Sequence, residues 1–329
     1  MFRIAIASLF GLSACSVFAA NAVAIVPEAI VKDIDDGYGS RALAQLRPLL
    51  QQSPHDRDVQ YRYGSALLAA GKFDDAQKAM KAALESDPNA PELHRVLGEA
   101  YGAAAIKASI FGMAGLAKSS LAEFQTAVKL NPNDPDSRVD LASYYIQAPG
   151  IVGGSLDKAH EEEAVLDKLS PLQALQIRAS EAENEKDFPA AVKLLRQAIE
   201  IDKKTDSLVQ LGMMQLHTEH ASDALTTFKS LTARSDAPAS SWYYLARSVA
   251  LTHAAPAEGI AALKVYIALP ERPDQAPKLA WAHLRLGELY AQNNQKDLAA
   301  GELDAARKQP VADDSNFDSA LKKAQALLK

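Results

Sequence analysis

The chain has 329 residues, 48% of them hydrophobic, with 35 Lys+Arg against 41 Asp+Glu and a net charge of −6. That length allows one large or two medium domains, and the mild acidity excludes a bulk nucleic-acid binder, which needs a basic excess to neutralise phosphates. A single cysteine excludes a disulfide framework and any Cys-rich zinc or iron–sulfur site.

The first element is an address. Arg3 supplies one positive charge, Ile4 to Leu12 is an uncharged apolar run, and small residues follow through Ala24. This layout predicts a secretory signal peptide over residues 1–22, too short to span a membrane. Leu12-Ser13-Ala14-Cys15 resembles a bacterial lipobox, which would end the leader at residue 14 and make Cys15 a lipidation site. Ordinary cleavage has A-x-A-like candidates at Val17-Phe18-Ala19, Ala20-Asn21-Ala22 and Ala22-Val23-Ala24, so both routes stay open. Either way the expectation is an exported protein. It would sit in the periplasm, or on the periplasmic face of the outer membrane if Cys15 is lipidated.

From residue 23 to 313 one pattern recurs. The clearest copy starts at Arg57, with Tyr63-Gly64, Leu67, Ala76, Met80, Ala83 and Pro88 at places 7–8, 11, 20, 24, 27 and 32. Leu97-Gly98, Phe124, Ala127 and Pro132 repeat it, as do Leu141-Ala142, Ala159 and Pro171. Later copies are marked by Ala191, Leu195 and Ala198; by Leu211-Gly212, Ala224 and Phe228; by Trp242, Leu245-Ala246 and Val249; and by Leu286-Gly287, Ala299 and Ala306. A degenerate first copy is anchored by Ala42, Leu46, Leu49 and Pro54. Small residues let paired helices approach, large ones fill the space beside them, and the late proline stops the second helix. This resembles the tetratricopeptide repeat. The resemblance implies an all-α, right-handed solenoid of about eight stacked helix–turn–helix units, each with a helix A and a helix B. Residues 314–329, with an apolar stripe of Leu321, Ala324 and Leu328, predict a capping helix.

The register breaks twice. Gly98 and Pro132 lie 34 residues apart where Gly64 and Pro88 lie 24 apart, placing an insertion within 102–119. Ala142 and Pro171 lie 29 apart, placing a second at 148–154. Both fall between helix A and helix B of adjacent units, so they should stand side by side on one edge. The first should prolong helix A and turn at Gly112 or Gly115. The second should stop helix A at Pro149, turn on its glycines and start helix B at an N-cap, Ser155. The stretch Tyr144 to Ser155 also resembles a recurring subgroup of bacterial exported repeat proteins. The notch residues are Lys107, Phe111, Lys118, Pro149, Gly150, Gly153, Gly154 and Ser155. An anion on the free N–H groups of the helix start behind the glycines, helped by Lys107 or Lys118, is one functional reading; a purely structural turn is the other.

The resemblance further implies that a peptide lies along the helix A surfaces, here Tyr61, Arg62, Arg95, Glu99, Gln176, Glu183, Tyr243, Arg247 and Glu288. The Lys and Asn clamp of chaperone-type members is not supported, since Tyr61/Ser65 and Arg95/Glu99 stand there. His217 and His220, at i and i+3, lack an evident third metal ligand, and His160 with its acidic run lacks the second histidine of a metalloprotease helix. That run reads as a solvated face. Trp242 and Trp281 read as core. Leu269 to Pro277, with three prolines, reads as a stiff connection on which the last unit could tilt. No catalytic residue, metal or cofactor is expected. The function expected is a protein–protein scaffold in the cell envelope, or alternatively a small-ligand or envelope-polymer module at the paired insertions. No nucleic acid is expected, and membrane contact only through a lipid anchor.

Overall fold

A computed structural model describes residues 25–202, 205–252, 256–310 and 315–328. The leader and Cys15 lie outside the described residues. Among those described there are seventeen α-helices and no strand. They pair in chain order: α1 (Glu28–Asp35) with α2 (Gly39–Gln52), α3 (Arg57–Ala69) with α4 (Phe73–Ser86), α5 (Pro91–Lys107) with α6 (Ile110–Leu130), and α7 (Pro135–Gln147) with α8 (Leu156–Leu169). Then come α9 (Pro171–Asn184) with α10 (Phe188–Ile201), α11 (Thr205–His217) with α12 (Ala221–Thr232), α13 (Ser240–Thr252) with α14 (Pro256–Ala268), and α15 (Leu279–Gln292) with α16 (Lys296–Lys308). The last helix, α17 (Ser315–Ala326), covers the end of the stack, where Phe317 meets Trp281 edge-on at 5.3 Å and Leu321 and Ala324 are buried.

Each pair is held by a small residue on the first helix and a large one on the second. A Cβ on Gly64 would lie 2.5 Å from Met80, on Gly98 2.7 Å from Phe124, on Gly212 2.7 Å from Phe228 and on Gly287 2.7 Å from Leu303. The second helices stop before Pro88 and Pro132, as a ring without an N–H requires. Asp56, Asp134 and Asp187 cap helix starts, accepting from the amides of Val59, Ser137 and Ala190.

The turn inside a regular unit is a Schellman motif. Gly37, Gly71, Lys186, Glu219 and Asn294 take positive φ, and the next amide reaches back across the turn, as from Lys72 to the Leu67 carbonyl at 2.9 Å and from His220 to Gln215 at 2.9 Å. Lys186 and Glu219 carry side chains that strain the left-handed region, which asparagine tolerates. Glu219→Gly is therefore expected to raise stability by about 0.5–1 kcal/mol. Urea unfolding would read this as a higher midpoint at unchanged slope; no gain would mean that the turn is not strained.

The units with insertions have replaced this turn. α5 and α6 have 17 and 21 residues, against 14 in α4. The turn expected at Gly112 or Gly115 falls instead at Ala108-Ser109, and both glycines lie in the opening turns of α6. The alanine-rich run is helix-forming on both sides of Ser109, so the chain breaks at the residue that suits a helix start. In the next unit α7 ends before Pro149, Gly150–Val152 forms a single 3-10 turn, Gly153 adopts φ 106°, and Ser155 caps α8. The second insertion packs on α6, the helix that the first one lengthens: a Cβ on Gly153 would lie 2.5 Å from Leu121.

The segment between α14 and α15 corrects the expectation of a tilting connection. It crosses to the first two units and caps their helix ends. Asp274 accepts from the Ser40 amide at 2.8 Å, at the start of α2, where Tyr38 offers no capping side chain. The Asp274 amide donates to the Gly37 carbonyl at 3.0 Å, Glu271 pairs with Arg41 at 2.6 Å, and the Gln275 side-chain amide donates to the carbonyls of Leu68 and Ala69 at the end of α3. Residues far apart in sequence thus close one turn of the solenoid on itself.

Candidate binding cavity

A cavity of about 910 Å³, open on one side, lies on the inner face of the first four units. Its floor is made by helix A positions of three successive units: Tyr61 and Ser65 on α3, Arg95 and Glu99 on α5, and Asp140 and Ser143 on α7. Its walls are apolar and come largely from the insertions. The prolonged α5 gives Ala105 and Ile106, α6 gives Met113, Ala114 and Ala117, and the 148–152 loop gives Pro149, Ile151 and Val152. Ile34 of α1, Leu68 of α3, Phe73 of α4 and Gln275 of the crossing segment complete it. Ile106, Ile151 and Met113 are exposed at 83%, 87% and 43%, so large apolar side chains stand in the open around this one mouth. The Tyr144 hydroxyl donates to the Val152 carbonyl at 2.8 Å and fixes the loop to α7.

One guanidinium organises the floor. Arg95 donates through one nitrogen to Glu99 at 2.7 Å and to Asp140 at 3.1 Å, and through another to the Tyr61 hydroxyl at 2.9 Å. Two carboxylates therefore share one cation beside apolar walls. Burial, and then Asp140, push Glu99 up from 4.5 to about 8 against the pull of Arg95. Burial raises Asp140 to about 6, again opposed by Arg95. Glu99 keeps 34% of its side-chain surface accessible and Asp140 23%, at the cavity wall. Because the folded pKa of Glu99 stands above its unfolded one, the folded chain holds a proton that the unfolded chain has lost between about pH 4 and pH 8. Its contribution is fully present below that window and is lost as pH rises through 8. The melting temperature is expected to fall from pH 5 to pH 8.5, and Glu99→Gln to flatten that fall; an unchanged slope in the variant would show that Glu99 is not the group responsible.

A family model described as tetratricopeptide repeat matches residues 34–100, which carry α2 to α4 and most of α5. Over those residues the chain matches the tetratricopeptide repeat. The solved structures it resembles agree. A thermophilic tetratricopeptide-repeat protein of Thermus thermophilus is 20% identical, with 57% of this chain and 96% of that one covered and a TM-score of 0.51. The human IFIT1 dimer with m7Gppp-AAAA is 16% identical, with 87% and 68% covered and a TM-score of 0.55. The APC/C hetero-tetramer Cut9–Hcn1 is 14% identical, with 90% and 55% covered and a TM-score of 0.51. At these identities the likeness is one of fold. No curated protein matches the chain.

The remaining positions expected to serve a tetratricopeptide groove are dispersed. Tyr61, Arg62, Arg95, Glu99 and Pro149 line the cavity. Gln176 instead donates to Ser207 of the following repeat at 3.2 Å, and Glu288 pairs with Arg285 at 2.7 Å. Glu183 faces His217 at 3.6 Å, and Arg247 is half-buried. Tyr243 is buried, and its ring packs within 5.4 Å of Tyr244 and 5.8 Å of Tyr266. Lys107 lies over the Phe73 ring at 4.4 Å, Lys118 is exposed, and the side chain of Phe111 lies outside the described residues. Gly150 is exposed, while Gly153, Gly154 and Ser155 serve the turn. The amides of those three donate to the carbonyls of Gly150, Pro149 and Tyr145, so the glycine pair offers no N–H to an anion. Asp140 is the floor carboxylate that sequence reasoning passed over. Counting repeat places across the first insertion would have set it beside Arg95.

The acidic run after His160 is not wholly a solvated face. Glu163 is buried and pairs with Arg178 at 3.3 Å, leaving its Oε1 without a hydrogen-bond partner. His160, Glu163 and Glu181 bring ligand-type atoms within 4.8 Å of one another. Arg178 already places a cation there, and His160 is bonded to Glu181 at 2.7 Å, so the group stands as an ion-pair network. His217 and His220 turn to separate partners, Glu183 and Thr218. Trp242 and Trp281 are half-buried against apolar clusters.

Proposed function

We propose that this protein is a scaffold that binds a segment of a partner polypeptide in the cavity of its first four repeats. What carries the reading is convergence: two insertions in different repeats and the helix A residues of three repeats build one chamber, with an exposed apolar rim. Stacked helical pairs present extended concave surfaces to other molecules, and repeat-specific insertions gather on a functional face. Repeats of this kind are generally non-catalytic, and the cavity residues fit recognition without any step of chemistry. The net charge of −6 and the carboxylates of the cavity speak against nucleic acid.

The setting we propose is the bacterial cell envelope, reached through the N-terminal leader, with Cys15 as a lipid anchor if the lipobox is used. No described helix is long and apolar enough to cross a membrane. The mass of the mature N-terminus tests the route: an acylated Cys15 supports anchoring, and cleavage after Ala19, Ala22 or Ala24 supports a free periplasmic protein.

A second reading has its own support. At about 910 Å³ the cavity is at the upper end of the volumes that hold small molecules, about 300–1,000 Å³. Ala117→Trp separates the readings from a mere fold effect, because it fills the chamber from α6. It should abolish recovery of a stoichiometric partner from envelope extract while leaving the helical content and melting temperature of the protein nearly unchanged. Retained capture would move the partner site elsewhere, and recovery of a small molecule in place of a protein would favour the second reading.

A further inference from the structure

The chamber holds more carboxyl groups than cations to pair with them, and that excess points to what fits. Glu99 and Asp140 share one nitrogen of Arg95, whose other contact is the uncharged Tyr61 hydroxyl. The second guanidinium at the wall, Arg62, is already held by Asp58 at 3.3 Å and lies over the Tyr61 ring at 5.0 Å. Asp35 adds a further carboxylate at the lining, and Asp136 adds its field from α7. No lysine lines the cavity among the described residues. An anion brought in here would meet carboxylates, whereas a cation would complete the pairing that Arg95 only half supplies. The approach is apolar, through Ile106, Met113 and Ile151, so the cation must arrive on a stem that tolerates such walls.

We propose that the cavity accepts a basic side chain, lysine or arginine, flanked by apolar residues of the partner segment, with its charged end against Glu99 and Asp140. This rests on the scaffold reading above and narrows it to a chemistry. Long basic side chains bury an alkyl stem along apolar surface and keep a charged tip for polar partners, which is the sequence of surfaces met from the rim to the floor. The volume, larger than one such side chain needs, leaves room for its neighbours.

The arriving charge takes the place of a proton. In the free protein Glu99 holds a proton at neutral pH because burial and Asp140 oppose its ionisation. Near a second cation it ionises, so binding releases that proton and tightens as pH rises from 6 to 8. The groups that set this balance are Arg95 and Glu99 on α5, Tyr61 on α3, Asp136 and Asp140 on α7 and Asp134 at its cap, with Arg62 of α3 and Asp35 of α1 lining the same chamber.

Three pools of blocked nonapeptides test the idea on the full chain by fluorescence anisotropy. Each has mixed Leu, Phe and Val flanks and a central lysine, norleucine or glutamate. The lysine pool should bind about tenfold tighter than the norleucine pool, as one added buried ion pair implies, with the glutamate pool weaker than both. Its advantage should grow between pH 6 and pH 8, and calorimetry in two buffers of different ionisation heat should show proton release. In Glu99→Gln the advantage should shrink below about threefold while the norleucine pool binds as before, because shape is kept and charge is lost. Equal binding of lysine and norleucine pools would overturn the cation inference and leave the scaffold reading standing. Failure of every pool would sink both. A lysine preference that survives unchanged in Glu99→Gln and in Ala117→Trp would place the cation elsewhere, and competition by n-hexylamine at the same concentration as the lysine pool would make the occupant a free amine.

Discussion

Arg95→Met is expected to destabilise the protein by about 2–4 kcal/mol at pH 8, and by much less at pH 5. The substitution keeps most of the side-chain volume and removes the one charge that Glu99 and Asp140 share. Breaking a buried pair from one side leaves an uncompensated charge, and here Asp140 and Glu99 must either ionise unpaired or hold protons that the unfolded chain has lost at pH 8. The figure sits toward the lower end of the usual range because Glu99 is about a third exposed at the cavity wall. Acid relieves the loss: without Arg95 both carboxyl groups stay protonated to higher pH, so the variant recovers as pH falls toward the unfolded carboxylate range. Urea melts at the two pH values, with Arg95→Met/Asp140→Asn alongside, read the effect. A loss that is the same at both pH values would show that Arg95 acts by packing and not by charge.

Phe228→Ala is expected to cost about 3–5 kcal/mol, the usual range for a fully buried aromatic. Phe228 has no exposed surface, stacks on Tyr244 at 5.6 Å, and fills the space that Gly212 leaves open on the facing helix. The repeat cannot collapse onto the hole, because Gly212 has no side chain to move into it. The urea midpoint should drop at unchanged slope, and amides of α11, α12 and α13 should exchange faster. The equivalent change at Phe124 should cost less, since that ring also lines the open cavity and is not fully enclosed. A loss below about 1 kcal/mol at Phe228 would contradict the packing described here.

The glycine-to-large pairs were legible because they follow from spacing alone. Once Gly64 and Met80 are placed in a repeat, Gly212 with Phe228 and Gly287 with Leu303 fall at the same spacing, and Gly98 with Phe124 does so once the first insertion is counted. The two insertions were legible as extra residues, and their neighbourhood followed from stacking. Their internal form was not: an alanine-rich run sets no unique break point, so Ser109 and not a glycine became the turn. Lys186, Glu219 and Asn294 in left-handed turns carry no local signal, since the Schellman geometry is imposed by the two packed helices. Tyr243 was placed by its repeat number, but its packing against Tyr266 was not legible. The floor of the cavity was half legible. Arg95 and Glu99 share a helix face, whereas Asp140 comes from another repeat and a shifted register.

The segment that joins the seventh and eighth repeats was least legible, because its partners lie more than two hundred positions away in the chain. An open array of repeats folds from neighbour to neighbour, and its ends fray independently. Here Asp274 and Gln275 cap helices of the first two repeats, so the start of the chain cannot complete its own termini until the seventh repeat has formed. The array should consequently behave as a clasped loop: slow to finish folding, because its last contact is so distant in sequence, and resistant to peeling from its front end once the clasp is shut.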